Sequence, residues 1–398
     1  MTDGPAGTGD VECVGRRWPL FRLALAASVL TILTLGVYRF WMKSRLRRYY
    51  WSSFRVAGSP VEYVGEPLEK LLGFLIAVVF LAFYLGIVNL VLVFASFSLF
   101  QTNGVAYLLS FLGVVPLWFY AAYRARRYVL ARTRWLGIRF GLAPGAAGYA
   151  WRAVGHWLAV ILTLGLAWPR MTFWLEKYRT DRTTFGTLTL HQGGNVAMLY
   201  QVFVHLMIGV IFSALTIAIA LANDNERFLW LLIVFLPWAV YGLVHYRVHA
   251  FRRLTDAKSA GGLSLVSRAR VVRVARIWLL GGSLALVLPF VVMSLAAYVV
   301  ISGATTDGAY PSEALRVLLG DVLPGWAIVA LGVVLYFGVF VTFGVLRHVF
   351  ITLPLWRHYG ETLTLVGTST LPRVAQQGRD AFEEAEGIAE ALDVGAAI

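Results

Sequence analysis

Residues 71–100 read LLGFLIAVVFLAFYLGIVNLVLVFASFSLF, thirty positions without Asp, Glu, Lys or Arg. A helix needs about 20 apolar residues to cross the hydrocarbon core of a bilayer, so this stretch spans one with room to tilt. Five more stretches lack those four residues: 104–123, 196–222, 228–246, 277–302 and 325–346. The whole chain agrees, being 59% hydrophobic and 14% charged over 398 residues, a balance that leaves too little polar surface for a soluble domain.

The formal net charge is +14, which in a soluble protein would suggest nucleic acid. Here the arginines stand directly after apolar spans and interleave with aromatics, as in Arg47-Arg48-Tyr49-Tyr50-Trp51, so anionic lipid headgroups are the expected partner and nucleic acid is not. A single cysteine, Cys13, excludes an intrachain disulfide and a cysteine-built metal site. The acidic residues Asp3, Asp10 and Glu12 precede Arg16 and Arg17, a poor match to a cleaved signal peptide, so the first apolar stretch is expected to be retained.

The chain also matches itself. Ile32-Leu33-Thr34-Leu35-Gly36 recurs as Ile161-Leu162-Thr163-Leu164-Gly165, each copy followed by a Phe-Trp pair, Phe40-Trp41 and Phe173-Trp174, and a basic stretch. A fainter third copy is Thr342-Phe343-Gly344, trailed by Trp356-Arg357. Arg45-Leu46-Arg47-Arg48-Tyr49 continues to Arg55 and Gly58; Arg124-Ala125-Arg126-Arg127-Tyr128 continues to Arg134 and Gly137 with the same offsets. Looser basic stretches at 177–182, 247–258 and 347–357 precede alternating segments at 187–190, 262–265 and 362–365. Each unit reads as an apolar segment, a basic amphipathic helix along the interface, a glycine stop and a short strand.

The expected fold class is therefore an all-α membrane protein of three transmembrane helical hairpins, six spans in all. Two shorter re-entrant or interfacial segments, around Thr34 and Thr163, join repeated basic amphipathic helices and short cytoplasmic strands. The two short segments are not counted as crossings, because eight crossings would put the basic stretches from Arg45 and from Arg247 on opposite faces. Both termini then fall in the cytoplasm, with outer loops at 101–103, 223–226 and around Asp307, Glu313 and Asp321. Residues 1–19 form a polar tail, 20–368 one membrane domain with repeats at about 20–146, 153–266 and 277–368, and 369–398 an acidic cytoplasmic tail.

No Asp, Glu, Lys or Arg lies inside the six stretches, which disfavours proton coupling through buried carboxylates. The intramembrane polar candidates are Asn89, Gln201 and His205; the last reads first as a hydrogen-bonded histidine between packed helices and only second as a relay. Pro116, Pro237 and Pro289 lie inside apolar runs, where prolines are tolerated without a gating role. His245 and His249 stand four apart, but no carboxylate completes a metal set. There is no Gly-rich phosphate loop or nucleophile elbow, so catalysis is disfavoured and no cofactor is implied. Arg45, Arg47, Arg48, Arg124, Arg126 and Arg127 are the candidate contacts for an anionic lipid or substrate.

At the Leu-Thr-Leu-Gly followed by Phe-Trp and the Arg-x-Arg-Arg-Tyr stretch, the chain resembles the YjgN family of bacterial multi-pass inner-membrane proteins, over most of residues 20–368. The resemblance implies location and architecture and supplies no site residues. Two functions are carried forward: passage or handling of an anionic or amphipathic molecule, and a membrane scaffold that organises anionic lipid or a partner protein.

Overall fold

The glycine-flanked segments legible as strands belong to a much larger sheet. The computed structural model describes residues 7–101, 104–304, 325–376 and 378. Among them, eleven strands pair antiparallel: β1 Thr8–Cys13, β2 Phe54–Val56, β3 Ser59–Tyr63, β4 Thr133–Trp135, β5 Ile138–Leu142, β6 Thr183–Phe185, β7 Leu188–Thr189, β8 His191–Gln192, β9 Lys258–Ala260, β10 Leu263–Ser267 and β11 Leu363–Val366. The all-α expectation is overturned by this sheet. Its order, β7-β6-β5-β4-β3-β2-β1-β11-β10-β9-β8, places at opposite ends two strands separated by one residue. That residue, Leu190, donates its N–H to Thr183 O at 2.9 Å, so residues 188–192 form one extended segment that pairs with β6 by its first half and β9 by its second. The two ends of the sheet are thereby brought together and the ring is nearly closed, which leaves little open edge.

The same device recurs around the ring. In β3, Ser59 and Pro60 face β2 while Val61 to Tyr63 face β4; β5 divides between β4 and β6 in the same way. The fifth hairpin is assembled from both ends of the chain, β11 with β1, and Gly7 O accepts from the N–H groups of both Gly367 and Thr368 at 2.9 Å. Alternation sorts the faces: Val11, Val61, Trp135 and Leu365 are buried or line the interior, while Glu12 stands opposite Arg55 and Glu62 opposite Arg134.

Helix pairs connect the hairpins. In chain order they are α1 Arg17–Leu33 with α2 Arg39–Ser52, α3 Pro67–Phe100 with α4 Gly104–Ala131, α5 Ala146–Leu162 with α6 Trp168–Thr180, and α7 Ala197–Ala222 with α8 Leu232–Asp256. The last group is α9 Val271–Arg276, a π-helical turn Ile277–Gly281, α10 Gly282–Ala304, α11 Gly325–Arg347, a second π-turn His348–Thr352 and α12 Leu353–Glu361. Among the described residues five helices, not six, are long and apolar enough to cross a membrane: Pro67–Leu99, Ala197–Ala222, Glu226–Asp256, Val271–Val291 and Tyr336–Glu361. Residues 104–123, counted as a span from sequence, are not among them.

The basic stretches are corrected too. Arg124, Arg126 and Arg127 occupy the last turns of the continuous α4, and Arg247, Arg252 and Arg253 those of α8, because no glycine or proline interrupts either helix between its apolar and basic parts. Pro116, Pro237 and Pro289 lie inside α4, α8 and α10.

The short segments turn back. Leu35 and Gly36 take φ of 51° and 93°, and their counterparts Leu164 and Gly165 take 49° and 94°. Thr34 Oγ1 donates to Leu30 O and accepts from Tyr38 N; Thr163 Oγ1 donates to Ala159 O and accepts from Ala167 N. Gly36 and Gly165 hold these positive φ values without the strain a Cβ would add, while Leu35 and Leu164 just before them carry that strain. The Phe-Trp pairs are not equivalent: Phe40 lies at the start of α2 and Phe173 one turn deeper in α6, whereas Tyr49 and Tyr178 each stand thirteen residues past the turn glycine. The third copy is no turn at all, since Thr342-Phe343-Gly344 lies inside α11.

Two compact units emerge: Met1–Val14, Arg47–Val271 and Tyr359–Ile398 form the first, Gly15–Leu46 and Val272–His358 the second. The sheet lies wholly in the first, where α4, α5 and α6 pack through Phe119, Tyr123, Tyr149, Ala153 and Leu175. There α7 and α8 approach closely, since a Cβ on Gly209 would fall 2.5 Å from Ala239 Cα and one on Gly242 2.6 Å from Leu206 Cα. In the second unit the two π-turns meet, Gly281 lying against Phe350 O, and Arg17 caps the Phe350 ring at 5.6 Å. The expected outer loop around Asp307, Glu313 and Asp321, Thr102 and Asn103 of the first loop, and the acidic residues 380–393 lie outside the described residues.

Candidate functional site

Eight strands close a barrel just wide enough to be filled by its own side chains; ten paired segments make a wider one. The interior here holds a cavity of about 360 Å³ lined by Val56, Val61, Trp135, Phe140, Phe185 and Leu265, among others, with Lys258 at its wall. Its size falls within the range of preformed small-ligand sites, about 300–1,000 Å³. Trp51 from α2 and Val129 and Leu130 from α4 line it where the strands meet the helices.

The opposite end, formed by the hairpin turns, carries a strap. Residues 367–376 leave β11, pass Gly262 and reach the β6–β7 turn, where Thr187 N donates to Ala375 O at 3.0 Å and Arg139 N donates to Gln376 Oε1 at 2.8 Å. A Cβ on Gly186 would meet Ala375 O at 2.2 Å, so the strap lies directly on the turn.

At the helix end lie two charged clusters, each with three cations to one carboxylate. In the first, Glu69 on α3 pairs with Arg132 Nη2 at 2.9 Å and accepts from Tyr128 Oη at 3.1 Å. Lys70, buried, sits over the rings of Tyr63 and Tyr128 at 5.1 and 5.9 Å, and Arg47 over Tyr63 at 5.8 Å. Burial pushes the Tyr63 and Tyr128 phenols up despite these cations, so both stay neutral. In the second, Glu176 on α6 accepts from Lys258 Nζ and Arg179 Nη2, both at 2.7 Å, with Arg126 beside it. Burial alone would raise the Glu176 pKa, but Lys258, Arg179 and Arg126 outweigh it and hold the carboxyl well below its usual range. Burial lowers the pKa of Arg126, and Glu176 counters it. The Nε atoms of Arg126 and Arg179 are buried and meet no acceptor.

Of the arginines singled out from sequence, Arg47 is 3% exposed and faces Tyr63. Arg126 and Arg127 are half-buried, Arg45 stacks on Tyr38 at 5.6 Å, Arg48 donates to Gly65 O at 3.1 Å, and Arg124 lies 5.8 Å from the Tyr120 ring. The structure brings Gln201 and His205 into one stripe between α7 and α8: Gln201 Oε1 accepts from Arg253 Nη1 at 2.7 Å, and the His205 ring lies 4.7 Å from His245, itself 4.4 Å from His249. Asn89 stands half-buried on α3. Among the described residues no group of three or more His, Cys, Asp or Glu is placed to hold a metal.

Glu69, Glu176 and Lys258 were not legible as site residues, since Glu69 and Glu176 each precede a lysine, Lys70 and Lys177, as in an ordinary charged surface stretch, and Lys258 closes the basic stretch 247–258. The pattern that reveals them is positional: Lys258 opens β9 directly after the α8 basic stretch.

Among the described residues, an eleven-stranded antiparallel sheet together with five helices apolar enough to cross a bilayer defines a membrane protein of mixed helix and strand. The chain belongs to a family described as a bacterial protein of unknown function (DUF898), whose model matches residues 9–392, nearly its full length. No curated protein and no solved structure matches it.

Proposed function

We propose that this chain is a multi-pass protein of the bacterial inner membrane, YjgN-like in kind and with both termini cytoplasmic, that handles an amphipathic anion. The apolar part of the ligand occupies the lumen of the strand ring, and its charged end meets the basic layer at the helix end. Lys258 carries this reading, because it belongs both to the lumen wall and to the Glu176 cluster. Three cations against one carboxylate, with two arginine Nε atoms lacking acceptors, form a site that an incoming anion completes. The strap over the turn end leaves the helix end as the way in, which favours a ligand arriving from the bilayer.

The test adds decyl phosphate or decanol to the purified protein in detergent and reads heat stability. The reading expects protection by the phosphate, its loss on filling the lumen with Ala260→Trp, and a roughly tenfold weaker effect in Lys258→Met. Equal protection by decanol, or protection unchanged in folded Ala260→Trp, overturns it. The scaffold reading draws on a different observation, the outward leucines Leu35 and Leu164, 96% and 92% exposed. Recovery of a stoichiometric partner with no ligand effect would favour that alternative.

A further inference from the structure

The hairpin α5–α6 carries a second cavity, about 320 Å³, between its two helices. Arg152, Arg170 and Arg182 line it together with His156, Lys177 and Asp181. Asp181 is already committed: its Oδ2 pairs with Lys177 Nζ at 2.9 Å and its Oδ1 accepts from Gln192 N at 2.7 Å. Among the described residues no carboxylate pairs with the three guanidinium groups. Two of them are held in place by Tyr178, whose ring centre lies 4.9 Å from Arg152 Cζ and 3.7 Å from Arg182 Cζ. The pocket therefore holds three arginines that Asp181, paired with Lys177, does not neutralise, and guanidinium groups are the side chains that make forked hydrogen bonds to phosphate.

Its depth is set by the rest of the hairpin. Residues 157–169, WLAVILTLGLAWP, contain no charge, and Ile161, Leu162 and Leu164 project from the tip fully or largely exposed. An exposed apolar tip on a helical hairpin finds a partner in acyl chains. His156 stands seven residues before Thr163, about 10 Å along the helix. Interfacial segments bury their apolar face about 5–10 Å deep, so a tip among acyl chains brings the tip-side wall of the pocket, His156 and Arg170, to the level of lipid phosphates, with Arg152 on the headgroup side. Trp174 lines the pocket and Trp157, next to His156, is exposed with it, as suits indole rings near headgroup depth.

The first hairpin shows that these cations are not required by the turn. Counted from the turn glycines Gly36 and Gly165, it has Leu23, Ala27 and Trp41 where the second has Arg152, His156 and Arg170. The two hairpins thus share the same kind of turn and apolar tip, but the first lacks cations at these three matching positions.

We infer that α5–α6 is a half-inserted membrane anchor whose Arg152, Arg170 and Arg182 take the phosphate of an anionic phospholipid headgroup. This site is separate from the lumen and does not depend on the lumen reading.

The test uses the full chain in neutral detergent, titrated with short-chain phosphatidylglycerol, with phosphatidylcholine, or with inorganic phosphate, and read by native mass spectrometry and melting. Retention of phosphatidylglycerol over phosphatidylcholine is expected, with affinity falling about tenfold in Arg170→Gln and further in the Arg152→Gln, Arg170→Gln, Arg182→Gln triple variant. Arg170 is exposed, so the single variant keeps the test valid if the triple does not fold. Ala260→Trp should leave this binding unchanged, which separates its failure from that of the lumen reading. No preference between the two lipids, unchanged affinity in Arg170→Gln, or inorganic phosphate competing at equal affinity would overturn the assignment to a lipid headgroup.

Discussion

Lys258 Nζ lies 2.7 Å from Glu176 Oε1, tying the first residue of β9 to α6 across 82 positions of sequence. The Glu176 side chain is only 14% exposed and shares its two oxygens between Lys258 and Arg179. Removing its charge leaves three neighbouring cations without a carboxylate, and the loss of one partner from a buried ionic group costs about 3–5 kcal/mol.

Glu176→Gln should therefore lower the melting midpoint substantially at neutral pH. The pH dependence has a definite sign, because Lys258 and the two arginines depress the folded pKa against the opposing effect of burial. The stability that the carboxylate contributes is complete above its unfolded pKa, about 4.3, and is lost as pH falls toward the lower folded value. Melting curves from pH 7 to pH 3 should show wild type and Glu176→Gln converging on the acid side. A constant gap across that range would show that Glu176 is not ionically held.

A second prediction concerns two aspartates in equivalent places. Asp181 Oδ1 accepts from Gln192 N at 2.7 Å and Asp256 Oδ1 from Ser267 N at 2.6 Å, each reaching eleven residues forward to the end of its hairpin's longer strand. Hydrogen bonds to a charged group contribute about 1.5–3 kcal/mol. Asp256→Ala should lose that amount in thermal denaturation, and Asp256→Asn, which keeps an acceptor oxygen, should recover part of it. Equal losses in the two variants would deny the hydrogen bond its role.

These pairs show where sequence reasoning stopped. The alternation at 187–190, 262–265 and 362–365 revealed three strands, because Leu188, Leu190, Leu263, Leu265 and Leu365 line the lumen and alternate with threonines or serines. The strands at 8–13, 54–63 and 133–142 were hidden, since their outward positions carry Arg55, Glu62 and Arg134 and their lengths are three to six residues. A signal did exist: Val11-Glu12-Cys13-Val14-Gly15 is echoed by Val61-Glu62-Tyr63-Val64-Gly65, and both turn out to be strands entering a helix. Ring closure through Leu190 had no such signature, because pairing a segment with one neighbour by each half is a tertiary choice. The basic candidates were legible as a group, but which arginines are buried depends on the register of α2 and α4 against the ring.

The close crossing of α7 and α8 gives a third prediction. Gly242→Ala places a methyl 2.6 Å from Leu206 Cα, so the helices must part, at a cost of about 1–3 kcal/mol. Gly86 in α3 has nothing within 4 Å of its Cβ position, and Gly86→Ala should be neutral or gain up to about 1 kcal/mol of helix propensity. Comparing melting midpoints of the two variants in the same detergent checks the contact. Similar behaviour of both would mean that the α7–α8 approach is looser than Gly209 and Gly242 imply.

The strap supplies the last. Gly186 has φ of 53°, and its absent side chain makes room for Ala375 O at 2.2 Å from the Cβ position. Gly186→Ala therefore adds left-handed strain and pushes against the strap, and opening of the strap exposes the bond after Arg373 to trypsin. Gly58→Ala has the strain, at φ of 81°, but meets nothing within 4 Å, so it isolates the contact. Where closing is fast relative to cleavage, the cleavage rate follows the open population, and a displacement of about 1.4 kcal/mol raises it roughly tenfold. Limited trypsin digestion read by mass spectrometry should show faster cleavage after Arg373 in Gly186→Ala than in Gly58→Ala. If both variants are cut there at the wild-type rate, residues 367–376 do not close the turn end of the ring, and the helix end loses its claim to be the way into the lumen.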